Sequence, residues 1–145
     1  MSNGAQELAL LFSQLAQALV DFRAKQQANM STEEFHEIGD DIQRLLDLSN
    51  KLVGAAIDET LASIGNAVNN IVQVTKDAQA AVKKIDDVQK AIAVATEALS
   101  LGAAILSGNP ASILAAAGGV ANAIAGGGGG QADPGVGSQG RSEGP

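Results

Sequence analysis

The residues most suited to chemistry lie around the only histidine of the chain, His36. Glu33, Glu37 and Asp40 are near it, at positions that a helix would bring to one surface. Carboxylates and imidazoles bind cations, but one helical turn cannot enclose an ion without ligands from elsewhere. The pattern therefore favours a solvated, acidic helix start that complements the helix dipole, and no metal or other cofactor is predicted.

Adjacent carboxylates occur at Asp40-Asp41, Asp58-Glu59 and Asp86-Asp87. Neighbouring residues of a helix point in different directions, so such pairs do not act together as acid and base on one substrate. We interpret each pair as part of a solvent-facing surface. The chain has no cysteine, and no serine stands in a nucleophile-elbow motif. We therefore predict that the protein is not an enzyme, and no small-molecule substrate is evident.

Charge argues against nucleic acid as a partner. Sixteen acidic residues against nine basic ones give a formal net charge of −7. The basic residues do not form a patch that could follow a phosphate backbone. The glycine run at 126–130 lacks the Lys-Ser/Thr ending of a phosphate-binding loop and is interpreted as a flexible linker.

Composition points to an all-α fold with closely packed helices. Apolar residues make up 46% of the chain, but aromatic residues only 2%, with no Trp or Tyr. The core must therefore consist of Ala, Val, Ile and Leu. We predict one helical bundle over residues 1–125 and a disordered, glycine-rich tail over 126–145.

Apolar spacing predicts a first helix over about 6–27, folded against a much longer one. Leu8, Phe12, Leu15, Leu19 and Phe22 repeat at intervals of three and four residues. Ser31 and Glu34 then match a capping box, which predicts a turn and a new helix start.

Residues 31–107 contain no proline and predict one very long amphipathic helix, or two nearly continuous ones. From Ile57 to Ile92 isoleucine recurs at seven-residue intervals, interrupted by Ala78, and a parallel column that begins at Leu61 follows four positions later. The phase slips at Gly54, where a bend is favoured over a full break. The expected packing spine is Ile57, Leu61, Ile64, Val68, Ile71, Val82, Ile85 and Ile92.

A helical hairpin arm without charges is predicted at about 98–125. No charged residue occurs between Glu97 and Asp133, and Gly108-Asn109-Pro110 divides the stretch, so a second arm should cover 110–125. We expect this hairpin to contact membrane or to mediate assembly. The residues expected to do so are Leu99, Ile105, Leu106, Ile113, Leu114, Val120 and Ile124.

Heptad-patterned helices are thus followed by an apolar hairpin with runs such as Ile113-Leu114-Ala115-Ala116-Ala117. This plan resembles that of α-helical pore-forming toxins and of hydrophobic translocators of bacterial secretion systems. The resemblance implies association through an apolar hairpin that contacts or inserts into a membrane. The alternative is a soluble coiled-coil scaffold or adaptor that binds a partner helix or self-assembles. The partner in either case is the protein itself, another helical protein or a membrane.

Localisation is left open by the sequence. The start, from Met1 to Glu7, has no basic leader before its apolar run, so a Sec-type signal peptide is not expected. We expect a cytoplasmic protein or one exported by another route.

Overall fold

The computed structural model describes residues 4–53 and 55–125, and the all-α class is confirmed. The predicted tail over 126–145 lies outside the described residues, as does Gly54. Within the described residues six α-helices follow one another, with a short 3₁₀ helix at Gln27–Asn29. They are α1 (Gly4–Gln26), α2 (Thr32–Lys51), α3 (Ala55–Ile64), α4 (Ala67–Lys84), α5 (Val88–Ser107) and α6 (Pro110–Ala125).

The turn into α2 follows the capping-box prediction. The Ser31 hydroxyl accepts a hydrogen bond from the Glu34 amide at 3.1 Å, and the Glu34 carboxylate accepts one from the Ser31 amide at 2.9 Å. These two bonds satisfy amides that a helix start would otherwise leave free. The reciprocal bonding fixes where α2 begins.

The prediction of one long helix over 31–107, or of two nearly continuous ones, is wrong, because the described residues of this stretch form four helices. α2 ends at Lys51 and α3 begins at Ala55, so two separate helices lie where a bend in one helix had been favoured. The next break follows from Gly65, which adopts a left-handed φ of 59°. Residues other than glycine rarely adopt that conformation, so the helix ends there.

The third break separates α4 from α5 at residues 85–87. Ile85 is extended, and the Asp87 carboxylate accepts hydrogen bonds from the amides of Gln89, at 2.9 Å, and Lys90, at 3.3 Å. Asp87 is therefore the N-cap of α5. Lys83 and Lys84 end α4, where positive charge is favourable to the helix dipole.

The five longer helices form a closed bundle. α1 packs against α2 and α4, α6 packs against α4 and α5, and α5 packs against α2. Their spatial order is therefore α2–α1–α4–α6–α5, with α5 and α2 closing the ring. The short α3 contacts α1, α4, α5 and α6. This arrangement confirms that the N-terminal helix packs against later helices and that α5 and α6 form a hairpin.

One core fills the bundle, and α1 contributes the most to it. Leu8, Phe12, Leu15 and Leu19 are fully buried, and Phe22 is 3% exposed. Later parts of the chain add large buried side chains, namely Ile38, Leu45, Leu52, Leu61, Ile71, Leu101, Ile105 and Ile113. Burying a side chain of this size stabilises a fold by about 1.5 to 3 kcal/mol.

Gly102 allows α5 to approach α1 and α2 closely. A Cβ atom at this position would lie 2.9 Å from Cε2 of Phe12 and 2.6 Å from Cδ1 of Leu48. Carbon atoms do not pack at such distances, so a larger residue would push the helices apart. The three helices meet here only because residue 102 has no side chain.

We expect Gly102→Val to destabilise the protein by about 1 to 3 kcal/mol, the usual cost of overpacking a core. Gly118→Val is the matched control, since a Cβ there would have no atom within 4 Å beyond its chain neighbours and the backbone of its own helix. The control should remain within about 0.5 kcal/mol of the wild type. Urea unfolding followed by circular dichroism measures both, and equal effects would contradict the assigned packing.

Candidate functional site

The hairpin of α5 and α6 turns at Gly108, as its sequence predicts. Gly108 adopts a left-handed φ of 77°, and its amide donates to the carbonyls of Ala104 and Ile105. The Asn109 side chain then accepts hydrogen bonds from the amides of Ala111, at 2.9 Å, and Ser112, at 3.3 Å. With Pro110 as the first residue of α6, the end of one helix and the start of the next are both capped.

Glu97 of α5 lies against the backbone of α6 at Gly119. A Cβ atom on Gly119 would meet the Glu97 carboxylate, so a larger residue there would displace this carboxylate from its position against α6. Glu97 is partly buried, and it is the last charged residue before the end of α6. The hairpin thus has a single carboxylate near the middle of α5, placed between its two helices.

The hairpin residues expected to contact membrane or partners divide into two groups. Ile105, Ile113 and Val120 are fully buried in the core, while Leu99 and Ile124 are partly buried against it. Leu106 and Leu114 are 39% and 48% exposed. Of these seven residues, only Leu106 and Leu114 present a large apolar side chain to water in the bundle.

The outer face of α6 is exposed and uncharged. Ala111, Ala115, Gly118 and Ala125 lie on it around Leu114, together with the polar residues Ser112 and Asn122. α6 contains no charged residue at all. A helix exposed on one side of a soluble bundle normally has charged and polar residues there, so this face is unusual.

α5 has the length and composition of a membrane-spanning helix. Its 20 residues have a mean hydropathy of 1.4 over the most apolar window, and 44% of that window is buried inside the bundle. Among residues 4–53 and 55–125 it is the one helix that meets both criteria, and the core helix of a soluble protein can also meet them. At about 1.5 Å per residue, α5 would span about 30 Å, whereas the 16 residues of α6 would span about 24 Å.

The expected spine faces the core, although it is spread over several helices. Ile57, Leu61, Ile71, Val82 and Ile92 are buried, and Ile64, Val68 and Ile85 are partly buried against them. These residues belong to α3, α4, the connection at 85–87 and α5. Because the bundle itself covers them, they offer no open stripe to a partner helix.

Comparisons with protein-family models, with curated proteins and with solved structures found no match.

A second feature is an acidic groove of about 740 Å³ between α2 and α5. We call it the α2–α5 groove. On the α2 side it is lined by Glu33, His36, Glu37, Asp40, Asp41 and Arg44. Within the described ranges, no three acidic or histidine side chains are placed to hold a metal ion.

Asp41 is buried, although the sequence predicted that the Asp40-Asp41 pair faces solvent. It is only 4% exposed, and its Oδ2 atom is buried without a hydrogen-bond partner. Burial raises the pKa of Asp41 from 3.8 to about 6, and repulsion from Glu37 adds to the effect, while Arg44 opposes it. The sequence showed an Asp40-Asp41 pair but could not show that the second member is buried in the assembled bundle.

The raised pKa of Asp41 predicts a pH-dependent effect of Asp41→Asn. Above about pH 6 the buried carboxylate is ionised in the folded protein at a cost, and below the unfolded pKa of 3.8 this cost disappears. Asp41→Asn should therefore stabilise the protein at pH 7.5, by an amount on the order of 1 to 3 kcal/mol, and much less at pH 4.5. Thermal unfolding of both proteins across this range measures the difference, and a pH-independent gap would contradict the assignment.

Proposed function

We propose that this protein is non-enzymatic and acts by association, with the α5–α6 hairpin as the element that contacts or enters a membrane. The observation that carries the proposal is the uncharged outer face of α6 with Leu114 exposed on it. The hairpin is held in the bundle mainly by α2 and α4 and also contacts α3, so membrane insertion requires it to leave these three helices.

The distribution of charge supports this proposal. From Ala91 to Ala125 the chain has one charged residue, Glu97, so transfer of the hairpin to lipid desolvates little charge. The apolar residues that α5 and α6 bury in the bundle would remain buried against acyl chains. The contact between α5 and α6, which includes the small residue Gly119, could persist inside the bilayer because small residues favour close helix packing there.

The alternative is a soluble scaffold that self-assembles or binds a partner helix through α6. Small residues on the outer face, such as Ala111, Ala115 and Gly118, would let a second helix approach closely. The alternative cannot use the packing spine, which the bundle covers. It therefore depends on the same α6 surface but needs no release of the hairpin.

Replacing one exposed leucine tests the membrane proposal. We expect the intact chain to float with phosphatidylcholine vesicles and to release an encapsulated dye. Leu114→Asp should reduce both, because a charge in the hydrocarbon region costs about 2.5 to 3.5 kcal/mol, or roughly 100-fold in partitioning. Leu114 is 48% exposed, so the variant should still fold.

Leu10→Asp is the matched control, because Leu10 is 56% exposed on α1, outside the hairpin. It should leave flotation and dye release unchanged. If the wild type neither floats nor releases dye, and light scattering shows a defined oligomer that Leu114→Asp disrupts, the scaffold alternative replaces the membrane proposal.

Neutralising Glu97 should have the opposite effect. Glu97→Gln removes the one charge that α5 would carry into the centre of a bilayer, so we expect dye release to increase at neutral pH by about tenfold or more. Glu59→Gln, an exposed change on α3, is the control and should have no effect. An unchanged rate for Glu97→Gln would mean that this part of α5 does not enter the membrane.

A further inference from the structure

The α2–α5 groove has two chemically different walls. Glu33, Glu37, Asp40 and Asp41 make the α2 wall acidic. The α5 wall is uncharged and consists of Thr96, Leu99, Ser100 and Ala103. A ligand lying in the groove would therefore meet carboxylates on one side and methyl, methylene and hydroxyl groups on the other.

The negative charge of the groove is poorly compensated by the protein. The two ion pairs found among the described residues, Lys51 with Asp47 and Lys76 with Glu7, lie elsewhere. Arg44 is the one cationic side chain in the lining. Asp41 is nine-tenths buried and has an oxygen without a partner, although buried polar atoms are normally hydrogen-bonded.

We propose that the α2–α5 groove binds an aliphatic ammonium group, with Asp41 as the buried acceptor and the α5 wall in contact with the alkyl chain. An ammonium group donates hydrogen bonds to carboxylates and carries the charge that the groove lacks. Its alkyl chain packs on apolar side chains while the charged end stays with the acids.

A bare metal ion fits the groove less well. The described residues do not place three ligating side chains close enough together around one point. An elongated organic cation needs no such convergence, because its charge and its alkyl chain bind to different parts of the groove. The ammonium group can belong to a free polyamine or to a lysine side chain of a protein.

Titration of the full-length protein at pH 7.5, followed by amide chemical shifts, tests the proposal. The probes are spermidine, a short alanine peptide with two lysines, and magnesium chloride at matched ionic strength. We expect one of the two amines to saturate and to shift the amides of Thr96, Ser100 and Ala103. Stronger binding of spermidine indicates a polyamine site, and stronger binding of the peptide indicates a lysine side chain.

Asp41→Asn should weaken amine binding by about 10- to 100-fold, since it replaces the charged carboxylate that accepts from the ammonium group with a neutral amide. Asp77→Asn is the control, because it changes the net charge equally on an exposed part of α4 outside the groove, and it should change binding less than about twofold. Equal losses in both variants, no saturation by either amine, or magnesium shifts that match the amine shifts would each overturn the proposal.

Discussion

Close approach between helices is the constraint on which this structure depends. With few aromatic residues, the chain has little bulk to fill wide spaces between helices, so the helices must come together on small side chains. Gly102 shows this where α5 meets Phe12 and Leu48, and the Glu97 side chain lies in the space beside Gly119. The bundle therefore depends on the absence of side chains at specific positions as much as on the apolar residues around them.

Local signals in the sequence predicted the ends of several helices. The α1 periodicity, the capping box at Ser31 and the turn at Gly108 each depend on residues close together in the chain, and the structure contains all three. The prediction that residues 31–107 form one continuous helix, or two nearly continuous ones, was wrong. Gly65-Asn66 is a turn signal and Asp87 is a good N-cap residue, but the apolar repeat continues across both. It does so because α3, α4 and α5 all face the same core, so breaks between them leave the pattern intact.

The two candidate surfaces differ in how far sequence could reveal them. The lack of charge in α6 is a property of the chain and was evident from it. Which α6 residues face inward depends on α4 and α5, so the burial of Ile113 and the exposure of Leu114 required the packed structure. The burial of Asp41 likewise required the packed structure. Asp41 belongs to an acidic pair that the sequence predicts to face solvent, and its pKa is raised mainly because the assembled helices bury it.

The ring order also affects how the bundle can open. α5 and α6 are neighbours both along the chain and in space, and within residues 4–125 they connect to α1–α4 only through the segment at 85–87. That segment contains the extended Ile85 and no helical hydrogen bonding across the break. Release of the pair, as proposed, therefore requires it to separate from α2, α3 and α4 at its sides, but no backbone segment has to pass another. A topology with α5 and α6 on opposite sides of the ring would not permit this.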